Sequence, residues 1–362
     1  MLAEMKMINN NNKQKSAIWT GPGKLELKES LIPSVEKGSM LVKVESCAIC
    51  GSDLRIFNDG NPRINPPRII GHEISGEVIE IGEGVLSYKK GDIISTGADI
   101  PCGECDHCKN GRSNCCDINY AIGYQFDGGF SQYMLLDPLM VKHGPIQVVK
   151  NGIDPNIAAL TEPLACCING YERGLIKPDS TIVVFGGGPI GLMLCLLAPL
   201  YQAKSVILIE PSDDRLEFAK SNINSINHFI NPLKNDPVKK IMQITKDIGA
   251  ELIFTANPVP ETHEQAVQVV SKRGVVNLFG GLPKTAREIK ILSNSIHYKE
   301  AYLTGSHGST PSQHKKALKF IEENKIRLDF LITHKFPLKD IHQAFETAKS
   351  GKGLKVIINP NA

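Results

Sequence analysis

No apolar run in this chain is long enough to cross a bilayer. The longest, Ile190 to Tyr201, covers 12 residues and contains Pro199, whereas a spanning helix needs roughly 20. Charge of one sign is not in excess either: 41 Lys+Arg stand against 38 Asp+Glu, a formal net charge of +3, far from the basic surplus that holds nucleic acid. Neither a membrane nor a nucleic acid is an expected partner. The N-terminus lacks the basic, apolar and small-residue order of a secretion signal. Its four-residue Asn tract, Asn9 to Asn12, reads as part of a disordered leader over residues 1–14. A cytoplasmic address follows, and reducing conditions turn the 10 cysteines from disulfide partners into candidates for metal binding or catalysis.

With 362 residues the chain is long enough for two domains. From Lys15 to Val149, short strands such as Met40–Glu45 and Gly76–Ile81 alternate with Gly and Pro turns, the texture of antiparallel β structure. Asp154-Pro155 looks like an N-cap followed by proline in the first turn, and predicts a helix to about Glu172. From Thr181, strands and helices alternate in the rhythm of a doubly wound α/β parallel sheet. After about Tyr298 the rhythm fades into two helices, 312–324 and 338–350, and a terminal strand, 354–358.

The densest motif is Cys102-x-x-Cys105-x-x-Cys108 followed by Cys116. Four thiolates within fifteen residues can close a tetrahedron on one Zn²⁺ and leave no open position, which makes a structural site. His107 is expected in solvent. The second motif is Gly186-Gly-Gly188-Pro189-Ile190-Gly191, placed after a β-branched strand and before a helix, with Glu210 closing the next strand. Gly186 permits the tight turn, Gly188 lets the backbone approach a pyrophosphate at the helix N-terminus, and Gly191 allows close helix packing. Glu210 would accept from a ribose hydroxyl and repel a 2′-phosphate, which favours NAD over NADP. Pro189, Ile190 and Arg215 join these as cofactor-binding candidates.

The third signal is dispersed: Cys50-Gly-Ser52-Asp53, Gly71-His72-Glu73 and Thr161-Glu162-Pro163. Cys47-x-x-Cys50 alone also admits a redox pair. Together, however, a thiolate, an imidazole and carboxylates are the ligand types of an open, catalytic zinc site.

The order of these motifs, with Asp127-Gly-Gly-Phe130 and the closing Thr333-His-Lys-Phe-Pro-Leu338, resembles the zinc-dependent medium-chain dehydrogenases. The likeness runs over nearly the whole chain from Lys15 and is greatest to their polyol branch, the sorbitol dehydrogenases. It implies a GroES-like, mostly antiparallel catalytic domain (15–160, zinc lobe about 100–117), a Rossmann domain (161–298), and a C-terminal segment (299–362) returning to the catalytic domain. It implies Cys50 and His72 on the catalytic zinc, with Glu73 beside it and Glu162 as third ligand or holder of a bound water. Cys166, four residues on, is the alternative ligand. Asp53 would orient His72, and Ser52 would relay the substrate proton. Arg55 stands where alcohol dehydrogenases often carry a relay histidine, and arginine cannot shuttle protons near neutral pH. Lys355 would face the cofactor pyrophosphate, or be a solvated surface lysine.

The implied activity uses two zinc ions and NAD to oxidise a secondary hydroxyl of a small-molecule polyol or sugar-like alcohol to a ketone. The polar stretch Arg55 to Arg63 would border the substrate, and its arginines admit phosphorylated or carboxylated sugars. A threonine-type amino-alcohol dehydrogenase is the alternative, and a non-catalytic nucleotide-binding or structural protein the rival outside the enzymes. A homodimer or homotetramer is the family habit.

Overall fold

The computed structural model describes residues 12–150 and 152–362. Most of the expected leader, residues 1–11, lies outside the described residues. Two compact units emerge: the chain up to Glu162 together with Ser309–Ala362, and Pro163–Gly308.

In the first unit the chain runs β1 (Lys13–Gly21), β2 (Lys24–Leu31), β3 (Met40–Ala48), α1 (Gly51–Asp59), β4 (Arg68–Ile69), β5 (Glu73–Ile81) and β6 (Ile93–Thr96). It continues through β7 (Asp99–Ile100), α2 (Asp106–Lys109), β8 (Tyr120–Ala121), β9 (Tyr133–Leu136), α3 (Pro138–His143), β10 (Ile146–Val148) and α4 (Pro155–Ala159). Strands β10, β6, β5 and β3 pair in that order and β9 also joins β3, all antiparallel. Val42, Val44, Ile74, Val78 and Phe130 are buried in its apolar core. Strand β1 begins at Lys13, inside the expected leader, because Gln14 is buried and accepts the Tyr133 N–H at 2.8 Å.

The helix expected over 154–172 is broken. Asp154 caps α4 by accepting the Asn156 N–H at 2.8 Å, and a new helix, α5 (Thr161–Arg173), starts after Leu160. Pro163 has no N–H to give to Ala159, so it is tolerated only in the first turn of a restarted helix.

The second unit continues with β11 (Thr181–Phe185), α6 (Pro189–Leu197), β12 (Ser205–Ile209), α7 (Asp213–Asn222), β13 (His228–Ile230) and α8 (Pro237–Ile244). It closes with β14 (Ala250–Thr255), α9 (Pro260–Gln268), β15 (Val270–Leu278), α10 (Ser293–His297) and β16 (Tyr302–Gly305). The sheet is parallel, in the order β13-β12-β11-β14-β15-β16. That is the doubly wound arrangement. Its strands are buried along their length, which is why Thr181–Phe185 and Ser205–Ile209 read as unbroken apolar runs. Strand β16 extends this sheet beyond the expected limit at residue 298; its side chains are mostly exposed, so no apolar run marks it.

From Ser309 the chain belongs to the first unit again, through α11 (Pro311–Glu322), β17 (Ile332–Pro337), α12 (Ile341–Lys349) and β18 (Lys355–Asn359). Strand β18 lies between β3, to which it is antiparallel, and β17, to which it is parallel.

Candidate metal and cofactor sites

The loop from Cys102 to Cys116 has only the four-residue α2 and a short 3-10 turn as regular structure. Its four expected cysteines nevertheless converge, all Sγ atoms lying within 4.8 Å of one another. Cys102 to Cys108 is 3.9 Å, Cys105 to Cys108 3.5 Å, and Cys105 to Cys116 3.9 Å. A tetrahedral zinc with bonds of about 2.3 Å holds its sulfurs about 3.8 Å apart, so the donor set fits that ion. Backbone N–H groups of Glu104 and Cys105 reach Cys102 Sγ at 3.3 Å. Those of Asp117 and Cys108 hold the Cys105 thiol down to about 6, which favours the thiolate that binds metal. His107 and the exposed Cys115 are outside the group.

A second convergence joins Cys50, His72 and Glu73, again with ligand atoms within 4.8 Å. Cys50 is the N-cap of α1, and the first turn of that helix carries Ser52 and Asp53. His72 and Glu73 arrive from the turn into β5. Gly71 makes that turn at φ +95°, where a Cβ would also press on Cys47 Sγ at 2.8 Å. The buried Asp53 accepts the Cys50 N–H at 2.9 Å, and its other oxygen lies 3.5 Å from His72 Nδ1. That second approach is a charge contact, since neither atom completes a hydrogen bond. Burial works against charge on the imidazole, yet Asp53 and Cys50 outweigh it, and the His72 pKa stands well above its ordinary value. Ser52 Oγ is 3.4 Å from His72 Nε2. A soft thiolate, an imidazole and a carboxylate whose ligand atoms converge in this way suit a zinc ion. Cys47 is wholly buried, its thiol is pushed well up by burial, and it stands outside the group that Cys50 forms with His72 and Glu73.

Glu162 stands outside the three-residue group. Its carboxyl is 5 % exposed and is pushed up to about 7 by burial and, despite the His72 charge, by Glu73 and Asp99. Cys166 is on α5, beyond the unit boundary.

Lys355 corrects one expectation. It is no solvated lysine: at 3 % exposure its ammonium reaches both oxygens of Glu73 at 2.5 Å. Burial alone would lower the Lys355 pKa; Glu73 reverses this and raises it. Tyr124 also escaped notice. Its ring is tilted against His72 at 6.4 Å, and its phenol is pushed up by burial. The only nearby signal was its position just before Asp127-Gly-Gly.

In the second unit, Gly186 turns at φ +111° and a Cβ on Gly191 would overlap the Gly186 carbonyl oxygen. Gly188 is the N-cap of α6 without a capping side chain, and a Cβ there would meet nothing within 4 Å. Open space thus lies against Gly188 at a helix N-terminus, a cradle suited to a pyrophosphate. A cavity of about 1010 Å³ opens beside it, lined by Gly186, Glu210, Pro211, Arg215 and Asn257 among others. Glu210 accepts from Gly187 N–H at 2.7 Å and Ser212 N–H at 3.0 Å, with Arg215 Nη1 3.9 Å away.

A family model described as the alcohol dehydrogenase GroES-like domain matches residues 36–145, and one described as zinc-binding dehydrogenase matches residues 189–323. The chain belongs to the zinc-binding, GroES-like alcohol dehydrogenases. Among these, L-threonine 3-dehydrogenase of Thermococcus kodakarensis is 35% identical over 344 residues, 93% of this chain and 95% of that relative. Sorbitol dehydrogenase of Halalkalibacterium halodurans is 29% identical over 94% of this chain and 97% of its own. A zinc-binding dehydrogenase of Sinorhizobium meliloti, solved bound to NADP, superposes with a TM-score of 0.89 at 29% identity, covering 96% of this chain and 99% of that one. This alcohol dehydrogenase is thus a zinc-containing oxidoreductase that uses a nicotinamide cofactor. Among the described residues no helix is long and apolar enough to cross a membrane.

Proposed function

We propose that this dehydrogenase oxidises a secondary hydroxyl of a polyol or sugar-like alcohol to a ketone and passes the hydride to NAD. The observation that carries this reading is the group Cys50, His72 and Glu73, within 4.8 Å of one another, with the Ser52 hydroxyl 3.4 Å from His72. Cys50 and His72 would hold the catalytic ion, with Glu73 or Glu162 completing its shell, and Cys102, Cys105, Cys108 and Cys116 would hold the structural one. A zinc ion at the first site supplies Lewis acidity that makes the substrate hydroxyl a stronger acid. Ser52 would take the hydroxyl proton, Asp53 fixes the imidazole, and the Tyr124 ring lies against His72. Arg55 is exposed, and a guanidinium is a poor proton shuttle.

Glu210 supports NAD over NADP, because a buried carboxylate repels a 2′-phosphate. A threonine-type reaction is the second reading, favoured by the 35% identity to a threonine dehydrogenase. Zinc-loaded protein mixed with NAD or NADP and a panel of sorbitol, xylitol, inositol, threonine and butanol separates the two. Faster nicotinamide reduction with the polyols is expected. Faster oxidation of threonine would favour the second reading, and a wild-type preference for NADP would overturn the role given to Glu210. The open edge of β16, with Tyr302 and Leu303 exposed, supports a homo-oligomer, which light scattering would test. All cysteines described are free, in keeping with a cytoplasmic protein.

A further inference from the structure

Between α1 and the turn that carries His72, the chain holds two arginines, and they are satisfied differently. Arg68 has a carboxylate partner, Asp127, at 2.9 Å. Arg63 has none within 4 Å among the described residues. Its guanidinium sits over the Tyr124 ring, 5.0 Å from the centroid, and gives one N–H to the Asn119 carbonyl. Its own carbonyl is fixed by Gln125 Nε2 at 2.9 Å. The Tyr124 ring that carries this cation is the one tilted against His72, 6.4 Å between ring centroids. An immobilised, half-buried guanidinium therefore stands one aromatic ring away from His72, whose Nε2 lies 3.4 Å from the Ser52 hydroxyl, with most of its five donors unspent.

A cation that only braced its loop would be as well served by an acid, as Arg68 is. We propose that Arg63 is a specificity-determining residue that receives an anionic group of the substrate, a carboxylate or a phosphate separated by a few carbons from the hydroxyl oxidised beside Ser52. The planar fork of arginine matches either group with two parallel hydrogen bonds. Stacking on Tyr124 keeps the fork oriented and lessens the entropy lost on binding. The substrate class then narrows from neutral polyols to hydroxylated acids or sugar phosphates. This deepens the function proposed above and rests on it for the reacting centre, but the anion contact itself can be measured separately.

The test uses the full-length, zinc-loaded protein with four probes: sorbitol, gluconate, sorbitol 6-phosphate and threonine. Turnover with NAD is followed by absorbance, and binding without turnover by calorimetry. Wild type is expected to prefer an anionic probe over sorbitol, and the gluconate and phosphate arms tell which anion it takes. Threonine as the best probe would keep the anion contact and place the carboxylate on an amino alcohol. Arg63→Gln should weaken the preferred anion by about tenfold to a hundredfold, the range for a lost hydrogen bond to a charged group, and act mainly on KM. Arg63→Lys should recover part of the loss. Arg55→Gln, which removes the same charge from the exposed face of α1, should cost the anion less.

Equal losses for sorbitol and for the anion in Arg63→Gln would mean that Arg63 only braces the loop, and would overturn the proposal. So would a wild-type preference for sorbitol, or an equal effect of Arg55→Gln. Anion binding that depends on Arg63 without nicotinamide reduction by any probe would overturn the reaction proposed above and leave the anion site standing. Neither binding nor turnover with any anionic probe would overturn the anion site.

Discussion

Lys355 and Glu73 show what a single residue can carry across 282 positions of sequence. A buried ion pair contributes little net stability when intact, but deleting one partner leaves a charge with nothing to compensate it, at a cost of about 3–5 kcal/mol. Lys355→Met is therefore expected to lower the urea midpoint of the first unit sharply, and a midpoint unchanged from wild type would refute the pairing. His314 offers a second case. It is wholly buried, its Nε2 lies 3.2 Å from Ser95 Oγ, and its Nδ1 has no partner. Burial pushes its pKa down to about 4, because a second N–H would find no acceptor. The folded state thus refuses a proton that the unfolded chain accepts below its ordinary value near 6.5. The stability associated with a neutral His314 is complete above pH 6.5 and is lost as pH falls toward 4, a span that corresponds to roughly 3 kcal/mol. Melting temperatures of wild type and His314→Gln, measured from pH 7 to 4, should converge as the pH falls; parallel curves would rule this out. Neither pairing was legible beforehand. A lone Lys or His carries no mark of the neighbour that a strand crossing will bring it.

At the scale of elements, legibility depended on whether a motif closes on itself. The cysteine lobe and the glycine loop are local: their ligands and turns lie within a few residues, and the observed positions of Cys102, Cys105, Cys108, Cys116, Gly186 and Gly191 match the spacing arguments. Strand β16 was not legible because an exposed edge has no apolar signature, and the break at Leu160 was hidden by the apolar runs Ile157–Leu160 and Leu164–Ile168 on either side of Thr161-Glu162-Pro163. The lobe also shows how little else holds it. With a four-residue helix and no buried residue in either of its helical turns, its shape must come from the sulfurs and the ion they bind. Cys105→Ser should bind one zinc fewer per chain by elemental analysis and should be cut by protease between residues 102 and 116 at a rate that a chelator imposes on wild type. A variant with full zinc content and wild-type resistance would contradict a structural site there.

For the whole molecule, chain order and unit membership differ in a way that sets how each part can fold. The parallel sheet is contiguous, with every strand between Thr181 and Gly305. The antiparallel sheet is not: β18, contributed by Lys355–Asn359, fills a position between β3 and β17 and is buried along almost all of its length. Its Ile357 and Ile358 pair with Ala48 and Cys47, just ahead of Cys50, and Lys355 is the partner of Glu73. Losing the strand would strip backbone hydrogen bonds from β3, open the core over Val356 and Ile358, and leave a buried carboxylate unpaired, three penalties that together exceed the stability of an ordinary domain. A chain ended at Lys352 should therefore fail to form the first unit although only ten residues are gone. A fragment of residues 161–308 should keep its sheet and still bind NAD. Circular dichroism and limited proteolysis of the two would decide it: a folded, zinc-binding first unit without β18 would show that the C-terminal strand decorates the sheet, while its loss would show that the catalytic unit cannot complete until the last residues of the chain arrive.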